Sequence, residues 1–150
     1  MSEINIHPVP AEVASHAHID NEKYLEMYRR SVEDPEEFWA EQAEEFVTWF
    51  KPWDTVMDVD YHNAHIRWFE GGKLNVCYNC VDRHLEKRGD QTAIIWESDD
   101  PNIDKSITYN ELFEHVCKLG NVLKSRGVKK GDRVSIYMPM IPEAAVAMLA

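Results

Sequence analysis

The chain has 150 residues, of which 44% are hydrophobic and 29% charged, a composition typical of a soluble globular protein. Its net charge of −11 argues against a general nucleic-acid or anionic-membrane binder, because both need a basic surface, although a small anionic ligand reads only local charge. The sequence has no run of about 18 apolar residues for a membrane span and no secretory or transit signal. Its three cysteines fit no secreted scaffold, so we expect a cytoplasmic protein without nucleic-acid or membrane partners.

Two helices are predicted after an N-terminal arm. Prolines interrupt helix within residues 1–18, which we predict to be irregular. One helix is expected after Asp20. The next has a clearer start, because Asp34 can cap it and Pro35 suits its first position. A stripe at helical spacing then runs to Lys51, and we interpret it as core or interface packing rather than a binding platform; its members are Phe38, Trp39, Gln42, Ala43, Phe46, Trp49 and Phe50.

A polar linker is predicted between this helix and a short strand at 66–69. Four linker side chains could form a metal or acid–base cluster, namely Asp58, Asp60, His62 and His65. We interpret them instead as solvated residues. A Gly-Gly pair at 71–72 predicts a turn after the strand.

The segment LNVCYNCVDRHLEKRG, residues 74–89, raises the question of a metal or redox site. We predict one helix, with Asn75 as its N-cap and Gly89 just past its end. At about 100° per residue, one side of this helix carries Cys77, Cys80, Val81, His84, Leu85 and the stem of Arg88.

Three interpretations of this cysteine–histidine face compete. Cys77 and Cys80 on one helix can approach a shared zinc ion, but zinc fingers usually place such a pair on a tight turn, and Cys117 is the only other cysteine. A redox pair normally follows a strand, whereas a glycine turn precedes this helix. We therefore prefer buried thiols that pack as small hydrophobes beside a satisfied core histidine.

Strands and helices alternate from residue 92 onward, which predicts an α/β fold. Residues 92–97 read as a buried strand and 106–108 as its partner. Thr108 and Glu111 form a capping box that opens a helix running to Arg126.

The last predicted elements are a turn, a strand and a helix. The turn at 129–132 lacks the glycine-rich run of a phosphate loop, so we interpret it as a solvated turn. An ion pair between Asp132 and Arg133 would contribute little if exposed. Residues 133–137 predict a strand, and Pro142 suits the start of a helix.

The final residues, 144–150, carry no charge and no helix C-cap. Burying Val146, Met148 and Leu149 would contribute on the order of 5–9 kcal/mol, against about 5–15 kcal/mol for the stability of a whole domain. We therefore expect this sequence to be the N-terminal piece of a longer protein.

Three stretches resemble the N-terminal region of AMP-forming acetyl-coenzyme A synthetases: DPEEFWAEQAEEFVTWFKPWD, WFEGGKLNVCYNCVDRHLEKRGDQTAIIWESDD and SITYNELFEHVCKLGNVLKSRGVKKGDRVSIYMPMIPEAAVAMLA. The resemblance covers residues 21–150. Its WF…LN…NC.DRHL string is specific to the acetyl- and propionyl-type branch, whereas TY.EL…GDRV…MP is shared across adenylate-forming enzymes. The family pattern varies at Cys77, which favours packing over a metal site there, and keeps Asn79, Cys80, Asp82, Arg83, His84 and Leu85.

The resemblance implies a two-step ligase that uses ATP, Mg²⁺ and coenzyme A. Acetate attacks the α-phosphate of ATP to give acetyl-AMP and pyrophosphate, and the thiol of coenzyme A then displaces AMP. The family's phosphate loop, ribose-binding Asp and C-terminal lysine have no counterpart in residues 1–150. We therefore name no catalytic, cofactor-binding or metal-binding residue here, and we expect this chain alone to be inactive and to bind none of these cofactors.

The implied fold class is α/β: an N-terminal helical cap region, then the first strands and helices of a truncated adenylate-forming large domain. We expect the arm at 1–18, the cap region at 19–90 and the start of the AMP-binding domain at 91–150. The partner would be the remainder of the same polypeptide, with acetate, ATP and coenzyme A as substrates of the whole enzyme. The alternatives are a propionyl-CoA synthetase fragment and a non-catalytic, stand-alone interaction module that docks through its apolar 139–150 face.

Overall fold

The computed structural model describes residues 7–150, and the chain divides into two compact units. The first unit comprises residues up to Val47 together with Pro52–Gly72, and the second comprises Thr48–Lys51 and Lys73–Ala150. In the first unit the elements are α1 (Ala11–His16), α2 (Asn21–Glu33), α3 (Pro35–Phe46), β1 (Thr55–Asp60) and β2 (His65–Glu70). In the second they are α4 (Val76–Cys80), α5 (Leu85–Arg88), β3 (Thr92–Glu97), β4 (Asp104–Thr108), α6 (Tyr109–Ser125) and α7 (Pro142–Leu149).

The N-terminal arm is not irregular throughout. Residues 11–16 form α1, which buries none of its side chains. Pro10 stands immediately before this helix, and there the missing N–H of proline leaves no intrahelical hydrogen bond unmade. The prediction of an irregular arm is therefore wrong for these six positions, and its first six residues lie outside the described part of the chain.

The predicted starts of α2 and α3 are confirmed by their caps. Asp20 Oδ1 accepts a hydrogen bond of 2.8 Å from the Lys23 backbone N–H, and Asp34 caps α3 in the same way. The predicted end of α3 is wrong, because the helix ends at Phe46 and Val47 is extended. Phe50 and Lys51 instead form backbone hydrogen bonds with Lys73, so long-range backbone pairing overrides the helical spacing of the aromatic residues.

The predicted polar linker is a β-hairpin. β1 and β2 pair antiparallel, from Thr55 opposite Glu70 to Asp60 opposite His65. Met57 and Val59 alternate with two aspartates along β1, which is the period-2 pattern of a half-buried strand. The prediction gave weight to the charges and overlooked that alternation.

The segment 74–89 is not one helix. α4 ends at Cys80, and a 3₁₀ turn over Asp82–His84 separates it from α5. The break lies at Val81, whose backbone leaves the helical region (φ −127°, ψ −67°) and whose side chain is completely buried. Asn75 caps α4 as predicted, whereas Gly89 has an ordinary helical φ of −52° instead of the left-handed conformation of a C′ glycine.

The core of the second unit lies between the β3–β4 pair, α6 and α7. β3 and β4 pair with each other, as predicted, and they run antiparallel; the capping box of Thr108 and Glu111 opens α6. The buried side chains of this core are Val81, Ile107, Leu112, Val116 and Val146. β3 is less buried than its sequence suggested, since Ile95 is 74% exposed.

Residues 133–137 do not form the predicted strand. No strand within residues 7–150 lies beside them, and a strand needs a partner for its backbone N–H and C=O groups. Val134 and Tyr137 are exposed. The helix predicted from Pro142 is present as α7. Among the described residues, no helix is long and apolar enough to cross a membrane.

Candidate functional site

The cysteine–histidine face of the sequence is split by the break at Val81. Cys77 is half-buried and packs against the core, whereas Cys80 is exposed, so the prediction of buried thiols is wrong for Cys80. The His84 ring lies 5.5 Å from the Tyr109 ring and accepts a 3.4 Å hydrogen bond from Arg83 Nε. In the described part of the chain, no three His, Cys, Asp or Glu side chains are arranged to hold a metal ion.

Cys77 is chemically a protonated thiol. Burial raises the pKa of the Cys77 thiol from 9.0 to about 11, with a smaller contribution from the nearby Asp82 carboxylate, which opposes a second negative charge. The Cys77 thiol also donates to Asp82 Oδ2 at 3.7 Å. Because only the thiolate attacks disulfides or binds metals well, these surroundings make Cys77 unreactive at neutral pH and disfavour the redox interpretation.

Acidic and imidazole side chains that were predicted to lie in a polar linker instead form hydrogen bonds within the β1–β2 hairpin. His65 Nε2 lies 2.8 Å from Asp58 Oδ2 across the two strands, and both side chains are exposed. Asp60 accepts hydrogen bonds from the His62 backbone at 3.0 Å and from Asn63 Nδ2 at 2.7 Å, and the bonds with Asn63 lower the pKa of its carboxyl. This arrangement stabilises a turn and offers no acid–base pair directed at a pocket.

In the turn at 129–132, the first backbone N–H group is already hydrogen-bonded and is not available to bind a phosphate. The Lys129 N–H donates to Asp132 Oδ2 at 2.8 Å, and the Asp132 N–H donates back to the Lys129 carbonyl at 3.0 Å. Asp132 thus closes its own turn. A phosphate loop needs free backbone N–H groups, and the first N–H of this segment is not free. We therefore keep the interpretation of this segment as a plain turn.

Asn79 has a structural role that the helical-face analysis missed. Its Oδ1 accepts from the Thr48 backbone N–H at 2.7 Å, and its Nδ2 donates to the Thr48 carbonyl at 3.0 Å. The side chain thereby holds residues 48–51 against α4 within the second unit. An asparagine on the polar side of a predicted helix gives no sign of a partner 31 positions away.

The second unit has a groove between α4, α6 and α7, with a volume of about 650 Å³. We call it the α4–α6–α7 groove. Its apolar part includes Val116, Leu123 and Leu149, and the thiols of Cys77 and Cys117 also face it. Its polar lining combines Asp82 with the lysines at positions 124, 129 and 130. Sequence reasoning could not find this groove, because it forms only where three separate elements meet.

Two family models match consecutive parts of the chain. The acetyl-coenzyme A synthetase N-terminus matches residues 24–80, and the AMP-binding enzyme family matches residues 81–150. The junction between the two matches falls at Val81, the residue at which the 74–89 segment breaks.

Curated relatives align with the whole chain. The acetyl-coenzyme A synthetase of Alkalilimnicola ehrlichii is 64% identical over 150 residues, that of Magnetococcus marinus is 63% identical, and acetyl-coenzyme A synthetase 2 of Pseudomonas aeruginosa is 59% identical. In each case the match covers 100% of this chain and 23% of the relative. The chain therefore spans about a quarter of the length of these relatives.

The structure also resembles a solved one. Acetoacetyl-CoA synthetase from Streptomyces lividans superposes with a TM-score of 0.73 at 31% sequence identity. The match covers 93% of this chain and 21% of that enzyme. The mixed helix–strand architecture is thus that of the N-terminal region of an adenylate-forming fold, which confirms the predicted fold class.

Proposed function

We infer, from the premise that this chain is the N-terminal portion of a member of the acetyl-coenzyme A synthetase family, that the whole protein is an acetate–CoA ligase. The ligase would convert acetate, ATP and coenzyme A to acetyl-CoA, AMP and pyrophosphate through acetyl-AMP. The observation that carries this proposal is the identity of 59–64% to acetyl-coenzyme A synthetases over every residue of the chain. Each of these matches covers the whole of this chain.

The proposal places the chemistry outside residues 1–150. Cys77 is a protonated thiol, Asp58 and Asp60 serve a hairpin, and Asp132 closes a turn. None of these groups suits the task of stabilising charge on a reacting phosphate, which needs positioned cations or free N–H donors. We accordingly assign no catalytic, cofactor-binding or metal-binding residue to this chain.

ATP and coenzyme A follow from the family, and Mg²⁺ is part of the proposal. A magnesium ion bound with ATP would neutralise phosphate charge in the first step. The donor sets found in residues 7–150 do not fit such an ion, because Mg²⁺ prefers oxygen ligands that converge and these carboxylates do not. Its ligands would lie in the remainder of the polypeptide.

The same proposal gives the chain a domain organisation. Residues 19–90 would belong to the cap region and residues 91–150 to the start of the AMP-binding domain, with an arm over residues 1–18. The family models place their own junction ten residues earlier, between Cys80 and Val81. The partner of both parts would be the rest of the same polypeptide, in the cytoplasm.

The test is acetate-dependent ATP–pyrophosphate exchange by the protein at the full length of its relatives. We expect exchange with acetate and none without a carboxylate. The 150-residue chain, assayed beside it, should show no exchange. Exchange by the short chain would overturn the location of the site, and no exchange by the long protein would overturn the ligase itself.

A propionyl-CoA synthetase is the second candidate within the same chemistry. The relatives reported above carry the acetyl name, which favours acetate. The exchange assay separates the two if acetate and propionate are compared at equal concentration. A rate with propionate that exceeds the rate with acetate would replace the proposed substrate without altering the reaction type.

A further inference from the structure

Four aromatic side chains surround a small cavity between α2 and α3 in the first unit. Tyr24 and Tyr28 come from α2, with their ring centroids 6.2 Å apart, and Phe38 and Trp39 come from α3, where they meet edge to face at 5.1 Å. The cavity has a volume of about 230 Å³, which is below the roughly 300–1,000 Å³ of sites for drug-sized ligands. It therefore suits one compact group. We call it the aromatic cavity.

The lining of the aromatic cavity is uncharged. No Asp, Glu, Lys, Arg or His side chain of the described range lines it, and small or apolar residues complete the wall beside the four rings. Tyr24, Tyr28 and Trp39 are between 43% and 59% exposed, so a ligand in water can reach their rings directly. The face of an aromatic ring carries partial negative charge and attracts cations. The lining thus offers ring faces in place of carboxylates.

The charge of the first unit also favours a cation. Its described residues include fifteen Asp and Glu against four Lys and Arg, whereas the second unit has eleven against twelve. One of those four cations, Arg30, lies 5.9 Å from the centre of the Phe38 ring, but two hydrogen bonds of 2.8 and 2.9 Å to the Glu41 carboxylate neutralise it. The unit therefore attracts cations and repels anions over a distance that salt shortens.

We propose that the aromatic cavity binds a quaternary ammonium group, such as the trimethylammonium group of choline. Such a group has no N–H to donate, so a lining without carboxylates leaves no hydrogen bond unmade. Its methyl groups can pack against the rings while its charge is attracted by the ring faces. A primary ammonium would lose water without gaining acceptors. A neutral apolar group would gain nothing from the negative charge of the unit.

The experiment compares choline with 3,3-dimethyl-1-butanol, in which a carbon atom replaces the charged nitrogen. Each compound is titrated into the full-length protein without ATP, acetate or coenzyme A, and saturation-transfer NMR follows its methyl protons. We expect choline to bind in the millimolar range and roughly fivefold more tightly than its neutral isostere. Equal affinities would reduce the cavity to an apolar pocket and overturn the proposal. Absence of saturable choline binding would overturn it as well.

Variants locate the binding in the cavity. Tyr28→Leu removes one ring face but keeps an apolar, helix-compatible side chain at an exposed position, and Trp39→Leu does the same on α3. Each should weaken choline binding roughly fivefold and bring it close to that of the isostere. Tyr61→Leu is the matched control, because Tyr61 is an exposed ring of the same unit outside the cavity. Unchanged choline binding in both cavity variants, or an equal loss in the control, would contradict the assignment.

A quaternary ammonium group can come from a free small molecule or from a trimethylated lysine of another protein. Nα-acetyl-Nε-trimethyllysine amide, titrated beside choline, distinguishes these sources. Tighter binding of choline assigns a free ligand, and tighter binding of the lysine derivative assigns a protein side chain. Both results support the same chemistry in the cavity.

This site does not depend on the proposed function, and the same protein sample separates the two. Acetate-dependent exchange without choline binding would leave the ligase intact and remove the cation site. Choline binding without exchange would do the reverse.

Discussion

The two units of the chain are stabilised in different ways. In the first unit, the buried side chains among the described residues are Phe38 and Ala43. In the second, five aliphatic side chains from the 3₁₀ region, β4, α6 and α7 form one buried cluster. The first unit therefore depends on a single large anchor, whereas the second distributes its hydrophobic stabilisation over several elements.

Aromatic contacts compensate for the small core of the first unit. The Phe38 ring meets the Trp39 ring edge to face at 5.1 Å, and Trp39 meets Trp68 of β2 at 6.5 Å. The chain of rings continues through Phe69 to Trp53, whose centroids are 5.0 Å apart. Such pairs contribute about 0.5–1.5 kcal/mol each beyond the area they bury. Two members of the predicted stripe, Phe38 and Trp39, therefore pack through edge-to-face ring contacts.

The largest effect should come from the anchor of the first unit. Phe38→Ala should destabilise the first unit by about 3–5 kcal/mol, since it removes a buried ring and the surface beneath the Arg30 guanidinium, 5.9 Å away. Hydrogen exchange of the α2 and α3 amides in the full-length protein measures this loss of stability. Tyr28→Ala, on an exposed side chain of the same helix pair, should change protection little. Equal effects would show that the first unit has no anchor.

A somewhat smaller effect is expected in the distributed core. Ile107 is 2% exposed, and Ile107→Ala should cost about 2–5 kcal/mol of unfolding free energy through lost burial and a cavity. The matched control is Ile95→Ala on the paired strand, where the side chain faces water and the expected change is within about 0.5 kcal/mol. Urea unfolding of the long protein compares the two. If Ile95→Ala proved as damaging as Ile107→Ala, another part of the polypeptide would be covering β3.

A close approach next to α6 should give an intermediate effect. A Cβ at Gly89 would lie 2.6 Å from Asn110 Nδ2, which donates to Asp90 Oδ1 at 3.0 Å. We expect Gly89→Ala to cost about 1–3 kcal/mol by overpacking. In a double-mutant cycle, Asn110→Ala should remove much of that cost, because it deletes the obstructing amide. Additive costs would mean that backbone contacts, such as the one with the Leu85 carbonyl, cause the strain.

The smallest expected effect is a pH dependence in the second unit. The pKa of Cys77 is about 11 when folded against an ordinary 9.0, so the folded state binds more protons between these values. The stabilisation is fully present below pH 9.0 and is lost as pH rises through 11. Cys77→Ala and Cys77→Ser should both show a flatter decline of stability across this window than the parent protein. A parallel decline in all three would assign the effect to other groups.

The features of the fold that could be predicted from the sequence are those set by residues close together along the chain. Asp20, Asp34, Asn75 and the Thr108–Glu111 box each act on backbone groups three residues away, so the sequence alone reveals them. The starts of four helices were predicted correctly for this reason. The pairing of β3 with β4 could be predicted for the same reason, since one short loop joins the two strands.

Long-range packing decided the elements that were predicted wrongly. Val81 has a non-helical backbone and a side chain that is completely buried in the core, so Cys77, Cys80 and His84 do not share one helical face. Residues 133–137 have strand-forming side chains but no strand partner within the described range. The metal and redox hypotheses depended on that helical face. The groove could not be predicted from the sequence, because it lies between elements that are far apart along the chain.

The backbone hydrogen bonds between Lys51 and Lys73 indicate where the chain should tolerate an insertion. The Lys73 N–H donates to the Lys51 carbonyl at 2.9 Å and the Lys51 N–H returns the bond at 3.1 Å, so the two ends of the intervening β1–β2 segment are adjacent. Insertions succeed where a segment's ends are fixed close together and its tip is exposed. Tyr61, at the hairpin tip, is 75% exposed. A fluorescent label or an epitope inserted beside it should therefore leave the chain on either side of the hairpin in place.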